Sequence, residues 1–224
     1  MDEDRRFWDR LATNYSKSKV SDELGYQRTL QRTSDFLKAS DAVLELGCGT
    51  GSTAFLLAPK VKGILATDIS PEMIRIARQK QQDEPTAAYD SISFKEATAD
   101  TIAKENHMPF NAILGYNYLH LVRDPPATVQ KIHGMLEDGG VFISKTPCIG
   151  DRNMLMRSFV LPTMRIFGLA PYLDNFGATE LVTMIKTAGF QIEAEEKHAS
   201  GSDDGRVFIV ARKMESGSND RTTA

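Results

Sequence analysis

Residues able to do chemistry are densest in Glu45-Leu46-Gly47-Cys48-Gly49-Thr50-Gly51, with Asp68 following one strand later. Glycines at alternate positions let the backbone turn sharply and let a ligand approach without meeting Cβ atoms. A carboxylate closing the next strand is the group that holds ribose hydroxyls at the crevice of an α/β sheet. Together they point to a nucleotide-like ligand. A dinucleotide fingerprint would need a third glycine where Ser52 stands, and no Gly-Lys-Ser/Thr follows to make a phosphate loop. The plain alternative is a tight turn that binds nothing, and the ordered set of strand, glycines, helix, strand and acid argues against it. His120 is the imidazole placed to take a proton, or else a structural residue beside the ligand. His107, His133 and His198 read as loop or surface residues. Cys48 and Cys148 have no CxxC or Cys/His spacing, so neither a disulfide framework nor any metal site is expected.

These groups need an alternating scaffold. Ala42–Leu46 reads as a short buried strand, followed by the glycines and a helix near Ser52–Leu57. Gly63–Thr67 is a second strand ending at Asp68. Ser70-Pro71 then starts a helix running to about Gln82, serine capping free N–H groups and proline losing no hydrogen bond at the first position. Further strands are expected at Ile92–Glu96, Ala112–Tyr116 and Val141–Lys145, the last after a helix and the turn Glu137-Asp138-Gly139-Gly140. A helix at Thr179–Ala188 should stop at Gly189. Gln191–Glu196 and Arg206–Arg212 then make an antiparallel hairpin. The sum is an α/β fold, a Rossmann-like three-layer sandwich with a mostly parallel sheet.

The glycine pattern, preceded by Glu45, resembles the first motif of class I S-adenosylmethionine-dependent methyltransferases. Over roughly residues 7–213 the chain is similar to their UbiE/Coq5-like small-molecule branch. The resemblance implies a seven-stranded sheet with the last strand antiparallel, and S-adenosyl-L-methionine as cofactor with S-adenosyl-L-homocysteine as product. It places Glu45, Gly47, Cys48, Gly49 and Gly51 along the methionine part, Asp68 on the ribose, and Ile69 against adenine with Met73 nearby. The family's adenine-contacting aspartate falls at Thr98 here, so Thr98 and the Ala99 backbone take that role, with Asp100 as a rival. Gly115–His120 matches the stretch beside the sulfonium, including Asn117. Tyr116, Asn117 and Tyr118 would shape the acceptor pocket, and His120 would be the catalytic base if one is needed. The family's turn before the fifth strand matches Leu136-Glu137-Asp138-Gly139-Gly140. Tyr15 lies in an N-terminal helical stretch (1–38) resembling the family's cap.

Residues 147–178 break the strand–helix rhythm. With Met154, Phe159 and Met164 they read as a substrate lid whose methionines would line an apolar acceptor. Arg152, Arg157 and Arg165 leave a membrane-facing surface open as a second reading, and plain packing or a homodimer contact as a third. Residues 214–224 read as a disordered tail.

The 224 residues fit one domain, 1–213, with 41% hydrophobic and 25% charged residues. A net charge of −3 gives no general field for nucleic acid. Nor does Asn117-Tyr118-Leu119 match the Asn/Asp-Pro-Pro-aromatic clamp for a flipped base, since Asp124-Pro125-Pro126 comes too late and reads as a helix start. The charged N-terminus and the lack of a long apolar run argue for a cytoplasmic protein without membrane insertion. The expected activity is in-line methyl transfer to an O, N, S or C nucleophile of a small, largely apolar metabolite. The alternatives are a phospholipid or quinone-precursor methyltransferase at the membrane surface, or a non-catalytic partner subunit.

Overall fold

The computed structural model describes residues 2–105, 109–151, 171–201 and 205–215. Two helices come first, α1 (Asp2–Lys17) and α2 (Glu23–Ser34). Strands and helices then alternate: β1 (Ala42–Leu46), α3 (Ser52–Leu57), β2 (Gly63–Asp68), α4 (Pro71–Asp83), β3 (Ile92–Glu96), α5 (Ala99–Lys104), β4 (Phe110–Tyr116), α6 (Pro125–Met135) and β5 (Leu136–Pro147). The chain ends with α7 (Ala178–Thr187), β6 (Phe190–Glu196) and β7 (Arg206–Lys213).

The seven strands form one sheet in the order β3-β2-β1-β4-β5-β7-β6. Every pairing among β1 to β5 is parallel, and β7 runs antiparallel to both β5 and β6. This is the expected Rossmann-like sandwich. Chain order reverses between β1 and β4, so a crevice opens above their C-terminal ends, where such sheets bind ligands.

Both faces of the sheet are covered, which explains why the central strands are apolar runs rather than alternating ones. On one face Leu44, Ile113, Phe142 and Ile209 pack against Ile102 of α5, Val129 and Ile132 of α6 and Leu181 and Ile185 of α7. On the other, Val43, Leu114, Ile143 and Val210 pack against Leu30 of α2, Ala54 and Leu57 of α3 and Ile74 and Ala77 of α4. Glu45 lies two residues after Val43 on β1, so it points to the second face. It is the carboxylate in an otherwise apolar row.

Local signals place the helices. Ser70 Oγ accepts from Met73 N at 3.1 Å with Pro71 in the first turn. Asp124 caps α6 through Ala127 N at 3.0 Å, so Asp124-Pro125-Pro126 is a helix start. Gly189 takes φ +94° after α7, the left-handed stop that glycine supplies at least cost.

Two expectations need correction. The fifth strand begins at Leu136, before its turn: Leu136 pairs with Phe110, and Val141 resumes opposite Ala112 across a bulge. His198 is not a surface residue. It is 6% exposed, its ring 4.4 Å from that of Phe208, with both nitrogens engaged by Thr29 and Glu196.

Residues 152–170 lie outside the described residues, and with them Met154, Phe159 and Met164; so do His107 and residues 216–224. The flanks of the 152–170 segment are joined. Gly150 N donates to Phe176 O at 2.9 Å and Ala178 N to Asp151 Oδ2 at 2.9 Å, while Asp174 N reaches His120 O at 2.7 Å.

Candidate active site at the C-terminal edge of the sheet

β1 ends at Leu46 and the chain reverses over Gly47–Gly51. Gly47, Gly49 and Gly51 take φ of +70°, +55° and +83°, a region that costs any residue with a Cβ about 1–2 kcal/mol. Space is short as well. A Cβ on Gly47 would stand 2.8 Å from the Tyr118 ring, and one on Gly51 2.7 Å from the Phe94 ring. Sterics alone therefore account for glycine at both positions.

Asp68 fixes this loop from the end of β2. Its Oδ2 accepts from Gly49 N at 2.9 Å and its Oδ1 from Ser70 N at 2.8 Å. Each carboxylate oxygen has two lone pairs, so these bonds leave capacity for the hydroxyls of a sugar. Burial raises the Asp68 pKa against the pull of those backbone donors. Ile69 follows, half-buried.

Glu45 is the strongest signal. It is 3% exposed, and its Oε2 meets no hydrogen-bond partner among the described residues. Desolvation first, and the charge of Asp68 second, push its pKa up to about 8. A buried carboxylate without a partner is costly unless a cationic ligand supplies one. The ammonium of a methionine moiety is such a partner, so the residues fit the sulfonium cofactor.

α1 spans the mouth of the crevice. Asp9 accepts from Ser70 Oγ at 2.6 Å, Arg5 pairs with Glu96 at 3.3 Å, and Asp4 with Arg123 at 2.7 Å. This brings Tyr15 over the loop, where its Cε1 stands 3.4 Å from the place a Gly49 Cβ would occupy. Its hydroxyl pKa is raised by burial and by the charges of Asp68 and Glu45, although the residue as a whole is half exposed.

β4 and β5 supply the facing wall. Tyr116 is held by Thr33 of α2, the oxygens 2.5 Å apart. Asn117 adopts φ +49° and donates its N–H to Lys145 O at 2.8 Å, while its Oδ1 accepts from Arg206 Nε at 3.1 Å. Tyr118 packs on Gly47, and the Ala99 N–H bonds to its hydroxyl. His120 is 8% exposed, its Nδ1 without a hydrogen-bond partner among the described residues. Burial, then the charge of Arg206, lower its pKa to about 4. It is therefore neutral near pH 7.

Of the sequence-predicted residues that are described, the loop glycines, Asp68, Tyr15 and Tyr118 lie against one another, while others differ in role. Cys48 is buried, its N–H donating to Thr67 O at 2.9 Å, so it enters the loop through its backbone. Met73 is 2% exposed, inside the core. Thr98 spends its hydroxyl capping α5 through Thr101, and Asp100 pairs with Lys131 at 2.5 Å. Sequence reasoning missed Asp9, Thr29, Thr33, Lys145 and Arg206. A charged residue ending an apolar strand was the available signal for Lys145; the others have none, because distant segments bring them in.

Residues 19–195 match the family model described as a methyltransferase domain, and the chain belongs to that family. Its class is thus the S-adenosylmethionine-dependent methyltransferases. The ubiquinone biosynthesis O-methyltransferase of Xylella fastidiosa (strain 9a5c) is 25% identical over 214 residues, 83% of each chain. The tRNA 5-carboxymethoxyuridine methyltransferase of Escherichia coli (strain K12) is 32% identical over 99 residues, 44% of this chain and 37% of that one. Among solved structures, the N-methyltransferase NodS of Bradyrhizobium japonicum WM9 in complex with S-adenosyl-L-homocysteine matches with a TM-score of 0.68. That match has 18% identity and covers 95% of this chain and all (100%) of the other. Among the described residues no helix is long and apolar enough to cross a membrane.

Proposed function

We propose that the protein transfers a methyl group in line to an oxygen of a small molecule, with the cofactor seated between the glycine loop and α1. The observation that carries this reading is Glu45, a buried carboxylate with one oxygen unpartnered among the described residues, beside a carboxylate-anchored glycine loop. Glu45 would pair with the methionine ammonium, and Gly47, Cys48, Gly49 and Gly51 would border that moiety. Asp68 would accept from the ribose hydroxyls. Ile69 would cover the adenine, with Thr98 and Ala99 at its edge, and Tyr15 would close over the loop.

When bound, S-adenosylmethionine supplies an electrophilic methyl on a sulfonium, so the chain's own task is to align the acceptor and exclude water. Asn117 and Tyr118 would border the acceptor. His120 is neutral near pH 7. With its pKa held near 4 it is a weak base, which suits an acceptor that reaches the site already ionised.

Oxygen is favoured as nucleophile because the relative that matches 83% of this chain is an O-methyltransferase of ubiquinone biosynthesis. The tRNA-acting relative matches 44% of this chain and 37% of its own length. That span does not carry its acceptor over, and the net charge of −3 disfavours nucleic acid. Calorimetry with S-adenosylhomocysteine, then labelled S-adenosylmethionine with a metabolite pool and mass spectrometry of the product, tests the reading. Binding without any labelled product would leave a non-catalytic binding protein instead.

A further inference from the structure

Charged residues near the start of α1 tie it to both sides of the crevice. Arg5 reaches Glu96 at the end of β3 at 3.3 Å, and Asp9 reaches Ser70 beyond β2. Asp4, the neighbour of Arg5, is held from the other side. Its Oδ2 accepts from Arg123 Nε at 3.1 Å and from Arg123 Nη2 at 2.7 Å. Arg123 belongs to the loop after β4, and in the sheet β2 and β1 lie between β3 and β4. The start of α1 therefore passes over the strand ends that carry Asp68 and Glu45.

Arg123 has a second neighbour. Its guanidinium carbon lies 4.4 Å from the centre of the Tyr172 ring, within reach of a cation–π contact. Tyr172 belongs to the stretch leading into α7, and that stretch is fixed to the same loop. Asp174 N donates to His120 O at 2.7 Å, and Tyr172 OH to Asp174 Oδ2 at 3.4 Å. One side chain thus touches both α1, whose Tyr15 stands over the glycine loop, and the stretch seated on the residues after β4. Arginine suits this post. Its planar group gives two N–H donors to a carboxylate and a flat face to a ring at the same time, which a lysine ammonium does not. The Asp4 side chain is 16% exposed, so the pair escapes part of the solvent screening that weakens surface ion pairs.

We infer that Arg123 is a positioning residue that couples the two sides of the crevice. With α1 seated over a bound cofactor, it holds residues 172–174 against the loop after β4, whose Asn117 and Tyr118 would border the acceptor. When the cofactor fixes α1, Asp4 fixes the guanidinium, and the guanidinium fixes the Tyr172 ring. Coupling between two sites is reciprocal, so an acceptor that fixes residues 172–174 favours α1 in its seat as well. This rests on the methyltransferase reading above and goes beyond it, since it requires no contact between the cofactor and residues 172–174.

Hydrogen exchange of the full chain, with and without saturating S-adenosylhomocysteine, tests the coupling. In the wild type the ligand should slow exchange in residues 2–17 and also, about fivefold, in residues 171–176, the low end of coupling between sites. Arg123→Gln should retain the slowing in residues 2–17 and lose it in residues 171–176. Tyr172→Leu, a second variant in case the first does not fold, keeps the ion pair and should lose the same response. The quantity read is the ratio of exchange rates with and without ligand in each variant. A merely structural role would raise both rates and leave that ratio as in the wild type. Such a result in either variant overturns the inference, as does a wild type whose residues 171–176 ignore the bound ligand, and both leave the methyltransferase reading intact. Failure of S-adenosylhomocysteine to bind at all, read by calorimetry, overturns both.

Discussion

At the scale of single residues, the site is set by the cost of burying charge. Glu45, with its pKa raised to about 8, binds more protons when folded than when unfolded between about pH 4.5 and 8. Stability falls with rising pH wherever the folded state holds the extra proton. Glu45→Gln should therefore raise the Tm, by a margin that widens from pH 5 to pH 8, as thermal scans in the absence of ligand will show. Binding has the opposite sign. A cationic ligand favours the ionised carboxylate, so binding at pH 7 should release protons, visible as a heat that depends on buffer ionisation enthalpy. In Glu45→Gln that release should vanish and affinity should fall. His120 gives a simpler case: with a pKa near 4, it has no ionisation between pH 5 and 8. His120→Asn should leave the shape of the kcat profile over that range unchanged. A lost limb near pH 6–7 would restore His120 as the base. The glycines, Glu45 and Asp68 were legible in the sequence because their chemistry is local to one strand–loop–strand unit. The bonds of Arg206 to Asn117 and of Lys145 to Thr29 were not, because they depend on strand order and helix packing.

At the scale of elements, α1 acts as a strap tied down through Asp4, Arg5 and Asp9. Asp9 accepts from Ser70 Oγ and also from Glu72 N at 3.3 Å, which ties α1 to the first turn of α4. Ser70 has its own role as cap of α4, so Asp9 is the cleaner residue to remove. Asp9→Ala should cost about 0.5–1.5 kcal/mol, the usual net weight of a hydrogen bond. It should also speed cofactor release in stopped-flow measurements, since Tyr15 loses an anchor less than two turns, about 9 Å, away along the same helix. Unchanged release would mean that α1 does not cover the bound ligand. Capping and stop signals made most helix boundaries readable from sequence. The early start of β5 was not readable, because Leu136 joins the sheet through its pairing with Phe110 rather than through any local pattern.

At the scale of the molecule, the crevice is carried by strand ends whose centres lie deep in the core. Ile143 is fully buried in the middle of β5, between Leu114 and Val210 in neighbouring strands. Ile143→Ala should cost about 2–5 kcal/mol, a large share of a total stability on the order of 5–15 kcal/mol. At this chain length each kcal/mol moves Tm by roughly 2–4 °C. The cavity would open beneath the site and not in it, because the strand continues two residues further to Lys145. Ligand at a hundredfold excess over Kd returns about 2.7 kcal/mol to the folded state. Saturating S-adenosylhomocysteine should therefore recover much of the lost Tm, and kcat measured below the new transition should match wild type. A variant that unfolds at the lower temperature yet gains nothing from ligand would show that the core of β5 and the crevice are one cooperative unit. In that case the division between a supporting sheet and a ligand-binding edge would not hold for this chain.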